Sequence, residues 1–134
     1  MCLIAFALDA LPGCPLLVAA NRDEHFDRPT QPLHAWALPN GTQVVAGRDL
    51  HAGGTWLGIT PAGRVAMLTN VREALLGNAP QSRGELVTAW LQGAGAWEDF
   101  AHGIEATRYS GFNLVLGDLA NDRWAWPRPG RPGC

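Results

Sequence analysis

Lysine is missing from this chain of 134 residues, whose ten basic side chains are all arginine. Charge is scarce altogether, at 16% of residues with a formal net of -2, and acids and arginines are interspersed. No basic stripe is available to neutralise a phosphate backbone, so nucleic acid is excluded as an expected partner. The chain also lacks a Cys-x-x-Cys pair, a His-Glu-x-x-His helix and a phosphate-cradling P-loop, and its four histidines (His25, His34, His51, His102) are scattered. No metal site is therefore expected, and no cofactor is required. Long apolar runs are absent too. The apolar start, Met1 to Leu8, has no Arg or Lys before it, and Asp9 and Pro12 interrupt it well short of the roughly 20 residues of a membrane span. Neither a secretory signal nor a transmembrane segment is expected, and the expected location is the cytoplasm. There, an odd set of three cysteines (Cys2, Cys14, Cys134) reads as free thiols rather than a disulfide framework.

What is present suits one packed core: 47% of residues are hydrophobic, and Gly 16 with Pro 10 stay below the share that marks a disordered chain. Residues 3–9 and 15–20 are apolar runs separated by Leu11-Pro12-Gly13, which predicts two buried strands joined by a turn. A loop is expected through Pro29, Pro32 and Pro39, ending at the Asn40-Gly41 turn. Residues 43–47, 55–60 and 64–69 read as strands, the last two forming a hairpin over Pro61-Ala62-Gly63. The Gly53-Gly54-Thr55-Trp56-Leu57-Gly58 run lacks nucleotide-binding spacing and reads as a tight backbone turn. Ser82 and Glu85 have the spacing of a capping box ahead of a helix whose Leu86, Val87, Trp90 and Leu91 share a face. A second helix is indicated by Trp97, Phe100, Ala101 and Ile104, and residues 111–119 alternate as a strand. Trp124-Ala125-Trp126 can start one more strand, which the prolines after it cannot continue. The expected fold class is α+β.

Cys2 is the position with chemistry. Removal of Met1, usual before a small residue, leaves an α-amine and a thiol on one residue. The amine, with an ordinary pKa of about 7.7–8.0, is partly neutral near pH 7 and can take the proton of a thiol of pKa about 8.5. Nucleophile and base then need no histidine. A small apolar residue opening a strand is the alternative role for this cysteine. If the first two strands pair as a hairpin, the Asn21-Arg22-Asp23-Glu24 end of the second returns beside Cys2, where an arginine can lower the thiol pKa and a carboxylate can hold the α-ammonium. A solvated polar turn accounts for the same four residues.

Several short segments, in order, resemble one family. They are Met1-Cys2, Ala19-Ala20-Asn21-Arg22-Asp23-Glu24 with Arg28-Pro29, Gly47-Arg48-Asp49, Gly53-Gly54-Thr55-Trp56-Leu57-Gly58, Leu68-Thr69-Asn70-Val71-Arg72, Ser82-Arg83-Gly84 and Gly111-Phe112-Asn113-Leu114. They look like the NRDE family, that of the transport and Golgi organization protein 2 homologues. The resemblance implies an N-terminal nucleophile hydrolase-like αββα sandwich, incomplete here: residues 1–120 as the N-terminal part of the family's domain, and 121–134 as an irregular Pro/Gly/Arg-rich tail. It implies Cys2 as nucleophile of an amidohydrolase acting on a small-molecule C–N amide, with Arg22 and Asp23 attending it. Asn70 then either donates to the oxyanion or ends a strand. Asn21, Arg22, Glu24 and Trp56 are candidate binding residues. The alternative implied by the family is a non-catalytic pocket for haem or an acyl-CoA or lipid ligand, with Arg22 as anion anchor and Trp36, Trp56 and Trp90 as either walls or core. A half-length chain is also expected to expose sheet edges that favour self-association.

Overall fold

The structure, a computed structural model, describes residues 1–71 and 79–127. Two strands, β1 (Leu3–Leu11) and β2 (Cys14–Asn21), pair antiparallel in a sheet of their own. The following strands are β3 (Thr30–Ala37), β4 (Gln43–Asp49), β5 (Leu57–Ile59), β6 (Arg64–Asn70), β7 (Phe112–Asp118) and β8 (Arg123–Ala125). They form a second sheet in simple sequence order, every neighbour antiparallel. Helices α1 (Gly84–Gln92) and α2 (Trp97–His102) and one 3-10 turn, Ala106–Arg108, lie between β6 and β7. The architecture is thus mixed α/β, with antiparallel sheets and few helices.

Alternation along β6 and β7 explains the packing. In register, Ala66 faces Leu116 and Leu68 faces Leu114, and all four belong to the core with Leu86, Val87, Trp90 and Leu91 of α1. Burying each large apolar side chain contributes about 1.5–3 kcal/mol. Val65, Met67, Val115 and Gly117 occupy the opposite face, where β1 approaches β6 and Phe6 stacks on Trp124 with centroids 5.8 Å apart. With both faces covered, Val65 and Met67 are as buried as Ala66.

Three expectations need correction. Residues 30–37, expected as part of a proline-rich loop, form β3. It is an edge strand paired only with β4, and Pro32 falls where the register shifts between Gln31 and His34, so its missing N–H costs no regular ladder bond. The first two strands are not buried: Leu3 is 64% and Leu17 49% exposed, because among the described residues only one face of this hairpin meets the larger sheet. Ser82 does not cap α1. Arg83 holds the N-cap position without a side-chain cap, and the Glu85 and Leu86 amides donate to the Ser82 and Arg83 carbonyls.

The Asn40-Gly41 and Pro61-Ala62-Gly63 turns form as expected, with φ of +88° at Gly41 and +90° at Gly63. Strand β8 occupies the start of the segment after residue 120. Arg72, Cys134 and residues 128–134 of the expected tail lie outside the described residues.

Candidate functional site

One end of the fold gathers the start of β1, the ends of β2, β4 and β6, and the start of α1. Between them lies a cleft of about 400 Å³ whose lining includes Cys2, Asn21, Arg22, Asp23, Glu24, Trp56 and Asn70. Hairpin pairing explains the first group: Leu3 is opposite Asn21, so the residues after β2 return to the residue before β1.

Asn21 brackets Cys2 with one amide. Its Oδ1 accepts the Leu3 N–H at 2.8 Å and its Nδ2 donates to the Met1 carbonyl at 3.1 Å. The Asp23 N–H donates to Cys2 Sγ at 3.3 Å, and the Asp23 carboxylate pairs with the terminal ammonium of Met1. Arg22 lies over the Trp56 ring at 3.8 Å and donates to Thr30 Oγ1 at 2.9 Å. Glu24 accepts the His25 N–H at 3.0 Å and stands 3.9 Å from Arg28. Asn70, at the end of β6, lines the cleft with an amide that makes no hydrogen bond to the described residues.

Three charged lining residues, Arg28, Asp49 and Arg83, were not singled out for a role by the sequence. Asp49 Oδ2 accepts both Nε and Nη2 of Arg28, at 3.1 and 2.7 Å, while its Oδ1 accepts the His51 and Ala52 amides at 3.0 and 3.4 Å. Burial raises the Asp49 carboxyl pKa, but the Arg28 bond, the two amides and the Arg28 charge outweigh it and hold it below the ordinary value. Asp49 raises Arg28 in turn, chiefly through the hydrogen bond. Arg83 is the third residue. Arg28, Asp49 and Arg83 all fall within the matched segments, but no spacing rule brings residues 28, 49 and 83 together.

Trp36 and Trp90 do not line the cleft. Trp90 is buried in the core with its Nε1 donating to the Gly117 carbonyl at 3.4 Å, and Trp36 donates to the Ala46 carbonyl at 3.1 Å. The glycine-rich segment turns as expected at Gly53, with φ of +81°, and close approach adds a second reason. A Cβ on Gly54 would stand 2.9 Å from the Gly84 carbonyl carbon, and one on Gly47 would collide with the Trp56 ring at Cη2. These two glycines let α1 and the Trp56 ring reach the cleft. Cys2 and Cys14 are free thiols. Among the described residues no three His, Cys, Asp or Glu side chains gather as metal ligands, and no helix is long and apolar enough to cross a membrane.

Fold and cleft together define a mixed α/β protein whose second residue, a cysteine, is surrounded by arginines, carboxylates and amides. The family model for Transport and Golgi organisation 2 matches residues 1–127, and the chain belongs to that family. It is 36% identical over 132 residues to the Transport and Golgi organization protein 2 homolog of Bos taurus, covering 92% of this chain and 47% of that one. The Homo sapiens homolog is 36% identical over 129 residues, covering 90% and 46%. The Drosophila melanogaster protein is 34% identical over 133 residues, covering 86% and 45%. The chain spans about half the length of these curated relatives.

Proposed function

We propose that the cleft is the site of a cysteine amidohydrolase with Cys2 as nucleophile and its own α-amine as base, in a fold of the αββα N-terminal nucleophile type. The observation that carries this reading is the convergence of Cys2, Arg22, Asp23 and Asn70 on one cleft. Removal of Met1 frees the Cys2 amine. Asp23, which pairs with the terminal ammonium of the unprocessed chain, then holds the new one.

The amine takes the thiol proton as sulfur attacks the amide carbon, and the carbonyl oxygen becomes an oxyanion for which Asn70, whose side-chain amide makes no hydrogen bond to the described residues, offers N–H donors. Collapse breaks the C–N bond, with the α-ammonium returning its proton to the departing amine. The remaining thioester is hydrolysed by water to a carboxylic acid and free thiol. Arg22, Asn21 and Glu24 position the ligand and the chain start, and Trp56 supplies an apolar wall. The reading sits in a reducing cytoplasm, and the edges of the β1–β2 hairpin, unpaired among the described residues, carry self-association with it.

A polar amide suits this lining better than haem or an acyl chain, since three arginines and three carboxylates surround only a few apolar side chains. Intact mass and thiol labelling of the purified chain test the proposal. Loss of Met1 and a Cys2 that labels faster than Cys14 are expected. Retention of Met1 excludes the amine as base, and haem or acyl-CoA affinity in a Cys2→Ala variant points to the binding alternative.

A further inference from the structure

Three arginines line the cleft, and two of them are occupied. Arg28 is held by Asp49 and neighbours Glu24. Arg22 is laid on Trp56, bonded to Thr30 and 4.0 Å from Asp49. Arg83 differs. It is half-buried at the start of α1, and its Nη1 donates to the Gly111 carbonyl at 3.0 Å, which anchors the guanidinium and leaves most of its five donors without a partner among the described residues. Among the described residues it forms no ion pair.

Burial lowers the Arg83 pKa from its ordinary value, whereas the Cys2 charge and then Glu24 raise it and Arg28 lowers it. Arg83 and Cys2 line the same cleft, with Glu24 and Arg28 among the other lining residues. Glu24, the nearby acid, shares its charge with Arg28 and accepts the His25 amide.

A partly desolvated cation that shares a cleft with a nucleophile gains most from a planar anion. We propose that Arg83 is a specificity-determining residue that receives a carboxylate on the molecule whose carbon Cys2 attacks. The substrate class narrows to amides bearing a carboxylate close to the scissile C–N bond. This use in hydrolysis rests on the function proposed above; the carboxylate receptor itself does not need the chain to hydrolyse anything.

The test compares iodoacetate with iodoacetamide at Cys2, resolved by peptide mass spectrometry. Both react by sulfur displacing iodide, so the thiolate fraction cancels in the ratio of their rates, and only the carboxylate differs. Arg83→Gln should lower the iodoacetate-to-iodoacetamide ratio about tenfold, as expected for loss of one charge-assisted contact. Arg83→Lys should keep part of it, and Arg108→Gln, outside the cleft, should leave it unchanged. In the unsubstituted chain at constant ionic strength, acetate should slow iodoacetamide labelling of Cys2 and acetamide should not. That comparison holds even if a variant misfolds.

An unchanged ratio in folded Arg83→Gln, acetate no more protective than acetamide, or a Cys2 inert to both reagents overturns the proposal. Retention of Met1 in the intact mass defeats the hydrolase mechanism and leaves the ratio, and the carboxylate site, standing.

Discussion

Asp49→Asn removes one charge from the cleft at almost constant volume. The wild-type carboxylate joins the end of β4 to Arg28 through two bonds on Oδ2 and to the His51 and Ala52 amides through Oδ1. Its side chain is 13% exposed and that of Arg28 29%, so solvent screens the pair only in part. A hydrogen bond to a charged group contributes about 1.5–3 kcal/mol. Both Oδ2 bonds come from one guanidinium, and burying the carboxylate offsets some of their gain, so the loss is about 2 kcal/mol rather than twice that. In a chain of this size that lowers Tm by roughly 6–10 °C.

The pH dependence follows from the lowered Asp49 pKa. A carboxyl whose folded pKa lies below its unfolded value of about 3.9 stabilises the fold fully above that value, and the contribution disappears as pH falls through the folded one. Urea denaturation of both proteins should show a gap of about 2 kcal/mol near pH 7 that narrows steadily towards about pH 2.5. A gap under about 0.5 kcal/mol near pH 7, or the same gap at both ends, refutes the assignment of Asp49 as the charged tie of the cleft.

Gly54→Ala places a Cβ 2.9 Å from the Gly84 carbonyl carbon; it should cost about 1–3 kcal/mol in urea unfolding and alter Cys2 labelling by displacing the start of α1. Asn21→Ala removes both bonds that bracket Cys2; hydrogen exchange at the Leu3 amide should accelerate while that of β6 amides stays unchanged, and equal acceleration at both sites would mean general loosening instead. Leu17→Asp puts a charge on the exposed face of the β1–β2 hairpin; sedimentation should show less self-association than in the unsubstituted chain, and an identical profile removes that face from the association surface.

Local pattern made much of the fold legible. The turn at Pro61-Ala62-Gly63 marked 64–69 as the second strand of a hairpin, period-two alternation marked 111–119, Gly41 and Gly63 marked turns that need positive φ, and Leu86, Val87, Trp90 and Leu91 marked the buried face of α1. Where the readings failed, a neighbour decided. β3 tolerates Pro32 because it has a partner on one side only. Helix α1 starts at Gly84, which lies close to the Gly54-Thr55 backbone, without a side-chain cap from Ser82.

The cleft divides along the same line. The sequence by itself determined only that Asn21-Arg22-Asp23-Glu24 return to Cys2 if the first two strands pair as a hairpin; the register that sets Leu3 opposite Asn21, with its shift between Leu8 and Leu11, was decided by the fold. It also carried the membership of the Transport and Golgi organisation 2 family, since the matched segments run in order along the chain. Tertiary structure alone decided that Arg28 meets Asp49, that Arg22 lies on Trp56, and that Arg83 lines the same cleft as Cys2 without an ion pair among the described residues. Those residues come from elements far apart in the chain, and which arginine takes which partner is fixed only by sheet order and by the close packing of α1 on the Gly54 backbone.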